Sequence, residues 1–209
     1  MKPEIEEYAE LHTSAETELL YRINRETHIH RLNPRMLSGH LQGKLLEFIC
    51  CMLKPQNVLE VGTFTGYASI CLAGALPANG RLHTIEINPE FEDDVLNYFT
   101  ESGFEDKITL HLGDAMEIIP TMQMQFDLVF MDADKDNYLN YYNLLFDKIN
   151  KGGFLIADNV LWGEKVLDTD ASDKETKGII AFNDFIQNDP RVENLLLPFR
   201  DGIMMVRKL

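Results

Sequence analysis

The 209 residues, 45% of them hydrophobic, suffice for one domain with a full core and are too few for two large ones. A formal net charge of −15 denies the chain the basic footprint that nucleic-acid binding needs, and no apolar run is long enough to span a membrane. Cys50, Cys51 and Cys71 form neither a disulfide framework nor a CxxC zinc pair, and the acidic start "MKPEIEEYAELHTSAE" reads as neither a signal nor a transit peptide, so a cytoplasmic location is expected.

Residues 1–54 read as a helical extension, with Thr13-x-x-Glu16 as a capping box. After "NPRMLSG", the helical spacing of Leu41, Leu45, Ile49 and Met52, with Leu46 and Leu53 beside them, predicts a further helix. From Asn57 the rhythm changes. Short apolar runs, "NVLEVG", "RLHTIEI", "ITLHLGD", "FDLVFMD" and "GGFLIADNV", alternate with the helical stretches "GYASICLAGAL", "NPEFEDDVLNYFTES" and "DNYLNYYNLLFDKI". That alternation predicts a parallel sheet with helices on both faces. "NPE" offers Asn88 as N-cap and Pro89 at the first helical position, and Ser172-x-x-Glu175 opens a helix running to Ile186. The runs "VENLLLPF" and "GIMMVRKL", joined only by "RDG", suit an antiparallel hairpin, since so short a link cannot carry a parallel crossover. Residues 55–209 are therefore expected to form an α/β core with a mostly parallel sheet finished by that hairpin.

In such sheets ligands sit outside the carboxyl ends of the strands, at the point where strand order reverses. The first such end, "LEVGTFTGYAS", lets backbone approach a ligand at Gly62 and Gly66, but it is no G-x-G-x-x-G fingerprint. Thr63, Phe64 and Thr65 crowd the place of a pyrophosphate, which favours a smaller adenosyl ligand over a dinucleotide. Glu86, ending the second run, is placed to accept both hydroxyls of a ribose. Asp114, in "LGDA", is placed for an adenine amino group, and Glu60 for a cationic amino-acid portion. Further along, "MDADKDNYLNYY" puts Asp132, Asp134 and Asp136 on calcium-loop spacing. The sixth and twelfth positions counted from Asp132 hold Asn137 and Asn143 in place of glycine and glutamate, so that reading fails.

"VLEVGTFTGY", "TIEINP" and "GDA", in this order, resemble the class I S-adenosylmethionine-dependent methyltransferases. With "PRMLSGHLQGKLL" before them and "MDADKDNYLNYY", "GGFLIADNVLWGEKV" and "DGIMMVRKL" after, the chain is similar from about Asn33 onward to the cation-dependent O-methyltransferases, which include the catechol and caffeoyl-coenzyme A enzymes. The resemblance implies a single O-methyltransferase domain over residues 1–209, with a Rossmann-like fold and a seven-stranded sheet. It also implies S-adenosylmethionine as methyl donor, magnesium (or manganese or calcium) as cofactor, a small aromatic vicinal diol as acceptor, and a homodimer. The donor contacts it implies are Met36, near the reactive methyl group, with Glu60, Gly62, Phe64 and Ser69. Glu86, Asp114, Ala115 and Asp132 complete them. The metal ligands fall on Asp132, Asp158 and Asn159, and the all-oxygen chemistry of that trio independently suits a hard cation.

Lys135 takes the place of the family's general base. A cation in the first turn of a helix opposes the macrodipole, so the position asks for a reason other than helix stability; the alternative is a solvated lysine neutralising the surrounding aspartates. Trp162 matches a residue lining the acceptor pocket. Asp134 and Asp136 read as capping or supporting acids, Tyr138, Tyr141 and Tyr142 as helix packing, and His28 and His30 as facing water. The charged stretch 163–178 reads as a mobile lid. Two positions depart from the catechol branch: Ala68 replaces a serine, with Ser69 adjacent, and Ala133 replaces a histidine. The expected function is O-methylation of one diol hydroxyl. The alternatives are a non-catalytic adenosyl-binding protein, which has no use for the Asp132, Lys135, Asp158, Asn159 set, and a nucleotide-dependent oxidoreductase, which needs the pyrophosphate turn.

Overall fold

The structure, a computed structural model, describes residues 3–168, 170 and 172–209. The first two residues of the acidic N-terminal stretch, and Thr169 and Ala171 of the expected lid, lie outside the described residues. Seven strands, β1 (Asn57–Val61), β2 (Arg81–Glu86), β3 (Ile108–Leu112), β4 (Phe126–Met131), β5 (Ile149–Asp158), β6 (Val192–Leu197) and β7 (Ile203–Lys208), form one sheet in the order β3-β2-β1-β4-β5-β7-β6. The pairs β2–β3, β1–β4 and β4–β5 are parallel, whereas β7 runs antiparallel to β5 and to β6, the second as the short "RDG" link requires. Val58, Leu59, Leu128, Val129, Leu155 and Ile156 are all fully buried, which is why the central strands read as unbroken apolar runs and not as alternating ones.

The helices are α1 (Pro3–Leu11), α2 (Glu18–His30), α3 (Gly39–Leu53), α4 (Tyr67–Ala75), α5 (Glu92–Ser102), α6 (Ala115–Thr121), α7 (Tyr138–Leu145) and α8 (Lys174–Asn188). Their ends correct the sequence reading in two places. Thr13 caps nothing: its hydroxyl donates to Ala9 O at the end of α1, and Glu16 accepts from the Tyr67 hydroxyl at 2.6 Å. The residue that caps α2 is Thr17, which accepts from Leu20 N. Likewise Asp173, not Ser172, caps α8, because its carboxylate takes both the amide and the hydroxyl of Thr176. Asn88 accepts from Glu90 N as expected, opening a 3₁₀ turn that leads into α5. The short helix α6 was not anticipated; Pro120 sits within its seven residues, a composition that argues against a helix.

The chain divides into two compact units. In the first (Met1–Gln56 and Thr63–Gly113), α3 buries Leu46, Ile49 and Cys50 and leaves Phe48 and Met52 exposed, so its buried face is rotated from the one the spacing suggested. Each such fully buried aliphatic side chain contributes about 1.5–3 kcal/mol. A Cβ at Gly43 would lie 2.7 Å from Cys71 Sγ and 2.8 Å from the Tyr67 ring, so the bare glycine lets α3 sit close on α4. In the second unit (Asn57–Gly62 and Asp114–Leu209), β1, β4, β5, β7 and β6 carry α6, α7 and α8, and the parallel neighbours β1 and β4 stand where strand order reverses.

In the first unit, His83 of β2 and His111 at the sheet edge share a 3.0 Å contact between Nδ1 and Nε2. Burial pushes both below the ordinary 6.5, and for His83 the neighbouring His111 pushes further the same way. A group whose folded pKa is depressed contributes stability that is present above its unfolded pKa and is lost as pH falls toward the folded one. Thermal melts should therefore drop in midpoint as pH is lowered from about 7.5 to about 5, and His111→Gln should flatten that slope. An identical slope in the variant rules the pair out as its source.

Candidate active site

The carboxyl end of β1 turns at Gly62, whose φ of +102° is open to glycine and whose missing Cβ would collide with the carbonyl oxygen of Asp132. Asp132 N in turn donates to Val61 O at 2.9 Å, so β4 leaves the sheet pressed against the β1 turn. The chain then folds at once into a 3₁₀ turn, Lys135–Asn137, and continues as α7.

Lys135 is not solvated; only 7% of its side chain is exposed. Its ammonium donates to Asp132 Oδ1 at 2.7 Å and to the Tyr138 hydroxyl oxygen at 2.6 Å, and stands 4.7 Å from the centre of the Tyr138 ring. One half of the alternative reading holds, since the lysine does neutralise an aspartate, and the other half fails, since water is excluded. The Tyr138 hydroxyl also lies 2.9 Å from Asp158 O and 3.3 Å from Met131 O. Burial, reinforced by the charges of Asp132 and Asp158, holds that phenol well above its usual pKa and therefore neutral. Asp134 accepts from the Tyr141 hydroxyl and from Asn137 Nδ2, each at 2.5 Å, which is the supporting role expected of it. Tyr142 donates to Asp189. The three tyrosines thus pack as expected while each anchors a polar partner.

On the neighbouring strand, Met131 pairs with Ala157, so Asp132 and Asp158 follow at the same level on adjacent parallel strands. Asp158 is buried, and its Oδ1 accepts from Asn159 N at 2.7 Å. Asn159 is left-handed at φ 58°, as are Trp162 at 49° and Glu164 at 65°. The Trp162 indole nitrogen is buried without a partner among the described residues, and Lys165 Nζ stands 5.9 Å from its ring. The expected lid is shorter than the sequence suggested: a 3₁₀ turn spans Lys165–Leu167, and from Lys174 onward the segment is α8. Also in this unit, Glu60 of β1 is fully buried, Ala115 opens α6, and Asp114 caps that helix by accepting Met116 N at Oδ1.

In the first unit, Glu86 at the end of β2 is buried. Its Oε2 accepts from Phe64 N at 2.7 Å and its Oε1 from Asn88 N at 2.9 Å. Burial raises its pKa and these amides oppose the rise. Phe64 is held left-handed at φ 51° by that bond. Ser69 is fully buried within α4 and Met36 is exposed. Two residues beside Lys135 escaped the sequence reading. Tyr138 carried a signal in its i+3 spacing from the lysine; Gly178 of α8 carried only that of a glycine inside a helix.

A mostly parallel sheet whose strand order reverses at β1 and β4, with Asp132 and Lys135 following β4 and Asp158 closing β5, is of the doubly wound α/β class. A family model described as O-methyltransferase matches residues 10–209, and the chain belongs to that family. It is 34% identical over 80% of its length to caffeoyl-CoA O-methyltransferase 1 of Eucalyptus globulus, covering 73% of that protein. Among solved structures it matches the O-methyltransferase TomG of Streptomyces achromogenes, determined in complex with SAM, at 29% identity and a TM-score of 0.93. That match covers 100% of this chain and 99% of TomG. The O-methyltransferase of Bacillus cereus in complex with SAH matches at 26% identity and a TM-score of 0.92, covering 98% and 97% of the two chains.

Because a side chain at Gly62 is strained in φ and strikes the backbone of Asp132, Gly62→Ala should lose about 1–3 kcal/mol in denaturant unfolding and shift the Asp132 turn. Wild-type stability in that variant would show that the two strand ends are not pressed together.

Proposed function

We propose that the protein transfers a methyl group from S-adenosylmethionine to one hydroxyl of a small aromatic vicinal diol, with Lys135 as general base and a divalent cation held by Asp132, Asp158 and Asn159. The observation that carries the reading is the Lys135 ammonium, nearly closed to water and hydrogen-bonded to Asp132 at the end of β4, beside the end of β5 that bears Asp158.

The donor set fits a hard cation. Adjacent strands lie about 4.8 Å apart, so the two strand-end carboxylates repel, and Lys135 is hydrogen-bonded to Asp132. With the amide oxygen of Asn159 the set is all oxygen, which suits magnesium and disfavours zinc. A cation held there supplies Lewis acidity toward the acceptor's oxygens. Lys135, as the amine, takes the proton of the reacting hydroxyl. The oxygen then attacks the methyl carbon in line with the departing sulfur. Alignment of the two reactants supplies much of the acceleration, and no covalent bond to the protein is needed. Glu86 accepts the ribose hydroxyls with a carboxylate already oriented by the amides of Phe64 and Asn88. Asp114 keeps one oxygen for its helix and offers the other to the adenine, and Trp162, in the loop after Asn159, lines the acceptor side.

Methyl transfer to a panel of catechols tests this directly. Turnover should require added divalent metal and stop on chelation, and Lys135→Ala should lower kcat by about 10²–10⁴-fold with donor binding intact. Full turnover in excess chelator, with metal absence verified, removes the cation from the reaction.

The Glu86 assignment makes a separate prediction for donor binding. The carboxylate form binds the ribose and the carboxyl pKa is raised, so the donor's Kd should worsen as pH falls through the range above the ordinary 4.5. Glu86→Gln should weaken binding by about 1.5–3 kcal/mol and remove that pH dependence in calorimetric titration. A Kd unaffected by the substitution takes Glu86 out of the ribose site.

A further inference from the structure

We infer that Tyr138 and Gly178 are positioning residues for Lys135, a role that rests on the reading of Lys135 as the base. The geometry holds the lysine at both ends. At the ammonium end, nitrogen can only donate, so the Tyr138 oxygen accepts from Lys135 at 2.6 Å and must send its own proton onward. The nearest acceptor for that proton is Asp158 O at 2.9 Å, with Met131 O further off at 3.3 Å. The polarity of the chain is thereby fixed, from Lys135 Nζ to the Tyr138 oxygen to the backbone of β5. With two N–H bonds committed to Asp132 and Tyr138, the nitrogen is left with one open direction. A base so tethered meets the acceptor's hydroxyl without a search over rotamers. With the phenyl ring alone, the nitrogen keeps one tether, to Asp132, and can swing.

At the backbone end, α8 lies against the lysine's own turn. A Cβ at Gly178 would stand 2.6 Å from Lys135 O and 2.6 Å from Asp136 Cα. Gly178 has an ordinary helical backbone, so alanine would favour the helix itself. Glycine at this position therefore answers to the close approach, not to the helix. One turn on, on the same side of α8, Phe182 meets the Tyr138 ring edge-on with ring centres 5.6 Å apart, and both rings are fully buried. Asn183 donates to Val160 O, so the same helix also steadies the loop after Asp158 and Asn159. Tyr138, Phe182 and Gly178 thus fix the lysine's height and direction relative to the strand ends.

The test uses the full chain with S-adenosylmethionine, magnesium and whichever catechol turns over fastest. Tyr138→Phe keeps the ring against Phe182 and removes only the oxygen. We expect kcat to fall on the order of 10- to 100-fold, the loss typical of a misplaced catalytic group, with donor KM unchanged. Losing one acceptor of a buried ammonium also lowers the melting temperature, so kcat is measured well below it. Gly178→Ala should lower kcat in the same way; its Cβ must displace backbone, so the melting temperature falls as well and kcat is read below it, and it serves as the second probe if Tyr138→Phe does not fold. The double variant Lys135→Ala/Tyr138→Phe should be no slower than Lys135→Ala alone, because Tyr138 acts through the lysine. Wild-type kcat in both Tyr138→Phe and Gly178→Ala, or a double variant slowed by the product of the two single effects, overturns the inference. Wild-type kcat in Lys135→Ala overturns the reading of the base and the inference with it. A slow Lys135→Ala beside a normal Tyr138→Phe defeats only the inference.

Discussion

Lys135 carries its charge into surroundings almost closed to water, and a cation so placed must find its hydrogen bonds within the protein. Asp132 supplies the counter-charge and Tyr138 the second acceptor, both three residues away, and that spacing explains the shape of the chain. To reach Asp132 the backbone has to double back as soon as β4 ends, which it does in a 3₁₀ turn. To reach Tyr138 it has to keep turning, and α7 begins at that residue. The pair need not raise net stability, because the attraction between buried charges is offset by their lost hydration. Removing one partner is another matter and typically costs 3–5 kcal/mol. The turn is therefore held in place by the penalty for undoing it.

Glu86 and the strand-end pair Asp132 and Asp158 are accommodated by different means. Glu86 has no cation beside it in its hydrogen bonding; backbone amides of Phe64 and Asn88 satisfy its oxygens, and desolvation still wins, leaving its pKa raised. A carboxylate in that state has every reason to accept further hydroxyl donors. Asp132 and Asp158 stand side by side because parallel register forces it, and Lys135 bonds to the first of them. Asp132 thus meets a side-chain cation where Glu86 meets backbone amides.

Much of this was legible in the sequence. Strands buried on both faces announce themselves as continuous apolar runs, and the short link 198–202 before Ile203 permits only an antiparallel return. Asp132, Lys135, Asp158 and Asn159 stood out through the resemblance to the cation-dependent O-methyltransferases, on segments that follow such runs, at the edge where ligands bind in sheets of this kind. What was not legible depends on competition between near-equal local choices. Thr13 and Thr17 are both plausible caps, and the ordering was decided by Glu16, whose carboxylate is taken by Tyr67, 51 residues away. Ser172 lost to Asp173 because a carboxylate takes two donors from Thr176. Tyr138 looks like packing because most of it is packing; only its oxygen does anything else, and no pattern of hydrophobicity records an oxygen. Gly178 is invisible for the same reason, since its meaning lies in the backbone of a turn more than 40 residues earlier.

The loop that follows the metal-type residues shows how the fold tolerates strain where the acceptor is proposed to bind. Asn159, Trp162 and Glu164 all adopt left-handed backbone, a conformation that costs of order 1–3 kcal/mol for each residue with a side chain and persists only when its surroundings leave no alternative. The surroundings here are the turn between β6 and β7. Val160 N donates to Gly202 O, Leu161 N to Asp201 O, and Gly163 N to Asp201 Oδ1 at 2.6 Å. A Cβ at Gly202 would strike Leu161, so even the turn's glycine is fixed by the loop it braces. The hairpin at the sheet edge is therefore more than a way to finish the sheet. It clamps the loop that presents Asn159 and Trp162, and a change at Asp201 or Gly202 reaches the acceptor side without touching it. Beyond Gly163 the 3₁₀ turn Lys165–Leu167 packs against α8, with Leu167 left exposed, and Asp173 caps that helix. The loop is therefore braced from two sides, by the hairpin turn at 160–163 and by α8 at Lys165–Leu167.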